Sequence, residues 1–414
     1  MKILSASYLL PIFSPPIREG AVVIDKEKIV ETGPRKKIEK KYPTASREEF
    51  DNAVLMPGLV NADSHLELSS LEGTTSPSFI DWFFACLEHQ QKITPEERRR
   101  NIQEGSQRLL RSGTTCIGDV GGYTGIVSDI AETPLRMVLF PEIMTSAGES
   151  ISDHYQASLE IVEEILSRQS ERITAGIAPY SAYTLSRHLL KIIAVHARQT
   201  KIPVKIHAAT SFAEMQFFFE SRGEIAEALF PRLGWTDSLP PAHRKTPIEF
   251  LHSIGFLESA PILVGCPHLS DKDLPLLVRS KSKVVWRPRV QKYFQLGETP
   301  VSKIQKAKIP LGLGTNGLGG RHSLSLWDEM RAVKAACTAE DLIRLATEGG
   351  ARVLGLQDQI GTIEKGKKAD LICVKIPLSL VKSRSRAALF QHLVDQTTEK
   401  EILATYIDGQ SIKV

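Results

Sequence analysis

The sequence predicts an α/β fold, a (β/α)8 barrel carrying a small β-sandwich domain assembled from both chain ends. Two observations carry this expectation. Between residues 57 and 356, apolar runs of strand length alternate with helical stretches, and eight such runs can be counted: LVNADSHL, TTCIGDVG, LRMVLFPEIM, ITAGIAPYS, PVKIHAAT, PILVGCPHL, KVVWRPR and PLGLGTNG. Outside that span, ILSASYLLPIF, GAVVID and KIVETG at one end, and IGTIEKGKKADLICVKIP and ATYIDGQSIKV at the other, read as short strands of a small antiparallel sheet. Chain ends commonly lie close together, so residues 1–57 and 357–414 are expected to form one composite β domain and residues 58–356 the barrel. A doubly wound open sheet is the competing arrangement for the middle of the chain.

Local signals agree with this division. After the first run, Thr94 can cap a helix, Pro95 fits its first turn, and Glu97 completes a capping box. That helix should stop at Ser112 and Gly113, where glycine can take the left-handed conformation. Another helix is expected to begin at Thr338.

The 414 residues suffice for two or three average domains, or for one large barrel with an appendage. Hydrophobic residues make up 42% and charged residues 24%, ordinary soluble usage that disfavours disordered and membrane classes. The net charge of +4 comes from 52 basic against 48 acidic residues. Basic runs at residues 35–37, 98–100 and 365–368 are short and read as solvated faces, so no nucleic-acid partner is expected. Five cysteines without repeated spacing suit reduced thiols and a cytoplasmic location. The segment MKILSASYLLPIFSPPI reads as a strand and not as a signal peptide. No window approaches the roughly 18 uninterrupted apolar residues of a membrane span.

Chemistry-bearing side chains gather where the apolar runs stop. The first run ends in Asp63, His65 and Glu67, which alternation along a strand would place on one face. The fifth ends in His207, the sixth in Cys266 and His268, the seventh in Arg287 and Arg289, and the eighth in Asn316. A lone histidine at a strand end is most often structural, but Asp63, His65 and His207 together can hold a divalent metal on one side and leave positions open for water. The arginines suit an anionic or carboxylate-bearing ligand. The pocket at these strand ends is expected to be open and polar, because such groups are costly to bury unpaired.

Longer motifs add to this. In order along the chain stand MPGLVNADSHLELSSLEG, FIDWF, GTT, APYSAYTL, RPRVQKYFQLG, LGLGTNGLGG, SLSLWDEMR and IGTIEKGKKADLICV. This series resembles the amidohydrolase superfamily, in particular the deaminase branch that includes aminodeoxyfutalosine, methylthioadenosine and S-adenosylhomocysteine deaminases. The resemblance implies a TIM-type barrel of the metal-dependent hydrolase kind. It further implies hydrolysis of a C–N bond other than a peptide bond, commonly at a purine-like ring, and an association with futalosine-type menaquinone synthesis.

Carried over residue by residue, the implied site is depleted. The first metal histidine is Asp63, the second is kept as His65, the strand-five ligand is kept as His207, and the strand-eight aspartate is Asn316. The implied cofactor is one divalent ion, zinc or iron, held weakly or not at all. The family's catalytic positions are Thr210, Gly265 and Asn316, none of which moves protons near neutral pH. Glu67 is the possible substitute, with Glu214 one helical turn beyond Thr210. Trp82, His268 and Arg289 are the implied substrate contacts. Two functions are therefore expected: an altered C–N hydrolase acting on a small nucleoside-like or anionic molecule, or a catalytically inactive barrel that binds a ligand or a partner. The expected partners are a small-molecule ligand and, as an option, a second copy in a homodimer.

Overall fold

The computed structural model describes the chain except for residues 72–77, 145–149, 236–238, 318–322, 384 and 414. Parts of two motifs, residues 72–73 and 318–320, thus lie outside the described residues. The chain begins with β1 (Lys2–Leu9), β2 (Ile17–Asp25), β3 (Lys28–Pro34) and β4 (Ser46–Pro57). The alternating middle supplies β5 (Leu59–Ser64), β6 (Thr114–Val120), β7 (Arg136–Phe140), β8 (Glu142–Ile143), β9 (Ile173–Ala175), β10 (Ala178–Pro179), β11 (Lys205–Ala208), β12 (Ile262–Gly265), β13 (Lys283–Trp286) and β14 (Leu311–Leu313). After them come β15 (Leu371–Lys375), β16 (Ile402–Ile407) and β17 (Gln410–Ile412).

Each of the eight predicted runs contains a strand. The third is interrupted at Pro141, between β7 and β8, where a residue without an N–H cannot continue the ladder. Strands β5-β6-β7-β9 and β11-β12-β13-β14 form two parallel sheets. Every residue of β5, β6 and β7 is buried, as parallel strands covered on both faces require. The two sheets meet at both edges. On one side Asp63 O accepts from the backbone N–H of Thr315 (3.0 Å) and of Asn316 (2.9 Å). On the other, Ile177 O accepts from Lys205 N–H (3.0 Å), and Tyr180 O from His207 N–H (2.9 Å).

The helix Pro95–Arg111 has the predicted capping box between Thr94 and Glu97. It ends before Gly113, whose φ of 83° is left-handed and whose missing side chain leaves room for Ile372; a Cβ there would stand 3.0 Å from Ile372 Cδ1. Thr338 caps the helix Ala339–Arg344 as expected.

Both chain ends join one seven-stranded sheet, in the order β17-β16-β15-β4-β1-β2-β3. One expectation is corrected here: the sheet is not wholly antiparallel. β1 and β4 run parallel, with Lys2 opposite Ser46. The β2–β3 hairpin and the helix Arg35–Lys41 return the chain to the end where β1 began, so β4 must run alongside it. Arg136, at the start of β7, ties this sheet to the parallel strands. Its Nε donates to Asp370 Oδ2 (2.8 Å), Nη2 to Asp370 Oδ1 (3.2 Å) and Asp408 Oδ1 (2.5 Å), and Nη1 to Glu171 O (2.9 Å).

All five cysteines are free thiols. Among the described residues no helix is long and apolar enough to cross a membrane.

Candidate functional site

A cavity of about 60 Å³ lies at the C-terminal ends of the parallel strands. His65, His207, Thr210, Arg287 and Asn316 border it, together with Glu142 from the end of the third run. The rest of its wall is mostly apolar, with Phe79, Trp82, Phe83 and Tyr180 prominent. An open, polar pocket was expected; the cavity is instead small and aromatic above a polar floor. Aromatic packing narrows it: Trp82 lies 5.5 Å from Phe294 and 6.0 Å from Phe79, and Phe83 lies 5.4 Å from Tyr180, between ring centroids.

Asp63, at the end of β5, is completely buried. Its Oδ1 accepts from Lys205 Nζ (3.2 Å) and its Oδ2 from Arg287 Nη1 (3.5 Å). Lys205 Nζ also donates to Ala62 O (3.0 Å) and Gly118 O (2.9 Å), so three oxygens take its three hydrogens. Burial by itself would raise the Asp63 carboxyl, but Lys205 and Arg287 outweigh it and hold the pKa down to about 2. Lys205 escaped the sequence reading. Its signal was available, since a lysine two residues before His207 on a strand shares the face of that histidine.

Asp63, His65, His207 and Asn316 are the predicted metal ligands. Among the described residues, no three His, Cys, Asp or Glu side chains are grouped so that they could hold a metal ion. An ammonium and a guanidinium already face the Asp63 carboxylate, and a divalent cation placed there would be repelled by both. The residues present do not fit a metal ion of the expected kind. His207 Nδ1 is instead 3.4 Å from Arg287 Nη2. Burial, reinforced by Arg287, keeps the His207 imidazole neutral, well below its usual pKa.

The remaining predicted residues divide into those at the cavity and those beside it. Gly265 has φ 99°, and a Cβ there would lie 3.2 Å from Thr210 Cγ2 and 3.7 Å from Arg287 Nη2. Trp82 lines the cavity as expected. His268 and Arg289 are not among its lining residues: His268 Nε2 is bonded to Leu296 O (2.8 Å), and Arg289 Nη1 donates to Ser323 O (3.1 Å). Glu67 is also displaced. Strand β5 stops at Ser64 and residues Leu66–Leu71 form a 3-10 turn, so the expected alternation breaks before Glu67. Its carboxylate accepts from Gln90 Nε2 (2.6 Å) and Arg98 Nη1 (3.3 Å).

Two acids, the partly buried Glu142 and the buried Glu214, stand near these residues. Burial, then the neighbouring Glu67 and Asp63 charges, push Glu142 up to about 8. Burial likewise pushes Glu214 up to about 7, against the pull of Thr210, whose N–H (2.7 Å) and Oγ1 (2.8 Å) both donate to Glu214 Oε2. A carboxyl whose folded pKa exceeds its ordinary 4.5 is protonated preferentially in the folded state. Its contribution to stability therefore falls as pH rises from about 4.5, and levels off above about 7. Glu214→Gln should remove this component. Urea midpoints at about pH 5 and about pH 8 should differ by less in the variant than in the parent; equal differences would refute the assignment.

Polar groups collect at the C-terminal ends of parallel strands, around a cavity walled by aromatic rings, which is where parallel α/β proteins commonly carry their sites. The chain belongs to the amidohydrolase family, whose family model matches residues 54–412. It is 26% identical over 402 residues to the aminodeoxyfutalosine deaminase of Nitratiruptor sp., with 95% of each chain covered. It is 27% identical to the 5-methylthioadenosine/S-adenosylhomocysteine deaminase of Saccharophagus degradans, covering 99% of this chain and 91% of that one. Among solved structures, the Helicobacter pylori aminofutalosine deaminase in complex with methylthio-coformycin superposes with a TM-score of 0.87 at 20% identity, covering 100% of both chains. An adenosine deaminase of Xanthomonas campestris with bound zinc gives 0.83 at 24% identity, covering 99% and 92%. These two structures share the fold of this chain.

Proposed function

We propose that this protein binds a small nucleoside-like or anionic molecule at the strand ends and has given up the metal-dependent C–N hydrolysis of its relatives. The observation that carries this reading is Asp63, held between Lys205 and Arg287 where the resemblance to those relatives implies a metal ligand. Three further positions point the same way, because Thr210, Gly265 and Asn316 offer neither a base for water nor an acid for a leaving nitrogen. The surrounding architecture is read as a closed (β/α)8 barrel over residues 58–356, supported by the hydrogen bonds at both edges of the two parallel sheets. Residues 1–57 and 357–414 are read as its composite β-sandwich domain. Support comes from the apolar clusters to which alternate residues of β1 and β2 belong, Leu4 and Val22 in one, Ile3 and Val23 in another.

A second reading, an altered C–N hydrolase, is favoured by Glu142 alone. Its pKa is pushed up to about 8, which favours the protonated form near neutral pH, and it borders the cavity, where it would serve as a proton donor to a leaving nitrogen. The test that separates the two combines binding with product analysis. The protein is incubated with a panel of nucleosides and small organic acids, and bound material is recovered by denaturation and weighed by mass spectrometry. Saturable binding with the compound recovered intact is expected. Recovery of a product that has lost ammonia establishes the hydrolase, and absence of binding by every compound removes both readings.

A further inference from the structure

We propose that the guanidinium of Arg287 is the receptor for a ligand oxyanion, a carboxylate or a phosphate, at the floor of the strand-end cavity. This rests on the reading that the cavity takes a small molecule, and it names the chemical class.

The first reason is the unfilled hydrogen-bonding capacity of Arg287. The side chain is only 6% exposed, yet its Nη1 reaches Asp63 at 3.5 Å, its Nη2 reaches His207 at 3.4 Å, and its Nε has no partner among the described residues. Those two contacts lie at the outer limit of hydrogen bonding. A guanidinium carries five N–H donors, and burying them unsatisfied is costly. Arg136, equally buried, marks the contrast within the same chain: Asp370, Asp408 and the Glu171 carbonyl take its donors at 2.5–3.2 Å. Arg287 borders the cavity and Arg136 does not.

The second reason is space. Gly265 presents no side chain, and a Cβ there would already be 3.7 Å from Arg287 Nη2 and 3.2 Å from Thr210 Cγ2. A side chain at position 265 would press on Thr210, stand against the guanidinium and, at φ 99°, strain the backbone. The glycine thus keeps the arginine head accessible from the cavity.

The third reason is charge. Beneath the cavity one carboxylate, Asp63, faces two cations, the Lys205 ammonium and the Arg287 guanidinium, so positive charge is in excess. Lys205 neutralises much of Asp63, so Asp63 cannot fully satisfy Arg287 as well. The other acids nearby supply little of the missing anion: burial pushes the Asp119 carboxyl well up, Glu142 is pushed up to about 8, and Glu67 is bonded to Arg98. The His207 imidazole stands beside the guanidinium, with Nδ1 3.4 Å from Arg287 Nη2. An oxyanion accepting from Arg287 satisfies the donors and cancels the charge. The aromatic wall of the cavity suits an apolar body attached to such a group.

Isothermal titration of the full-length protein tests this with propionate and benzoate, inorganic phosphate and phenyl phosphate, and benzamide as the neutral control. At least one anion is expected to bind saturably, with benzamide inert, and the carboxylate and phosphate arms decide which oxyanion is meant. Arg287→Gln should weaken that binding by at least about tenfold, the size of a charge-assisted hydrogen bond. Arg287→Lys, which keeps the charge but loses the fork, should fall between the two. Should both variants fail to fold, a co-crystal of the parent with the tightest anion decides: an oxygen within hydrogen-bond distance of the guanidinium supports the assignment, and one elsewhere overturns it. Unchanged anion affinity in Arg287→Gln also overturns it. Binding of neutral nucleosides but of no anion would overturn it while leaving the small-molecule reading intact.

Discussion

Ammonia release from adenosine, 5′-deoxyadenosine and methylthioadenosine is expected to stay at least about a thousandfold below the roughly 10 per second typical of enzymes, with or without added zinc, iron or manganese. Deamination of a purine-like ring needs a water that loses a proton while the ring and the departing amine gain one. A bound metal lowers the pKa of water toward about 7, but it donates no proton. In this chain Thr210, Gly265 and Asn316 stand where proton-handling groups are implied, and Lys205 and Arg287 oppose a cation beside Asp63. Each missing acid or base is worth a factor of about 10² to 10⁴, so the losses compound. Turnover near 1 per second in the parent protein would defeat the argument. The converse experiment must respect the packing. Asp63→His, Thr210→Glu, Gly265→His and Asn316→Asp together should stay inactive, because a histidine at 265 meets the Arg287 guanidinium and Lys205 still projects its charge. Adding Arg287→Ala and Lys205→Met should allow metal uptake, read by elemental analysis, and some ammonia release. Activity in the fourfold variant alone would show that the two cations are not the obstacle.

Asp63→Asn should destabilise the protein by about 3–5 kcal/mol, the usual cost of removing one partner from a buried ion pair. The substitution keeps the shape and removes the anion between Lys205 and Arg287, whose side chains are 3% and 6% exposed. The two buried cations then face each other without an anion, and Lys205, whose charged form burial already disfavours, is pressed to give up its proton. Such a loss is a large part of the 5–15 kcal/mol that holds an ordinary domain together. Lys205→Met, which leaves Asp63 with Arg287, should cost less. Combining the two changes should cost less than their sum, since losing the ammonium removes one of the two charges that are stranded once the carboxylate is gone. Urea unfolding of the three variants measures this. A shift for Asp63→Asn within about 0.5 kcal/mol, the range of ordinary surface substitutions, would mean that the three groups are not coupled as described.

Much of this was legible in the sequence, and the parts that were share one property. The eight apolar runs, the capping box at Thr94 and Glu97, the left-handed Gly113 and the helix start at Thr338 are signals written within a few residues of one another. Periodicity and turn chemistry are local, so they survive without a structure. The gathering of His65, His207, Arg287 and Asn316 was also legible, because parallel strands that alternate with helices all end on the same side. Only the tertiary structure decided what those residues meet. Asp63 meets Lys205 and Arg287 across 142 and 224 residues of chain, and nothing local to Asp63 distinguishes a metal ligand from a clamped carboxylate. Glu67 left the site because β5 stops at Ser64, and His268 and Arg289 were drawn to backbone carbonyls beside the cavity. β1 and β4 run parallel because of where an intervening hairpin and helix deliver the chain. The sequence by itself determined the elements and the side of the fold on which the polar groups collect. The partner of each buried charge was settled only by long-range packing, since a charge sealed from water takes whichever counter-charge or dipole the fold brings within reach.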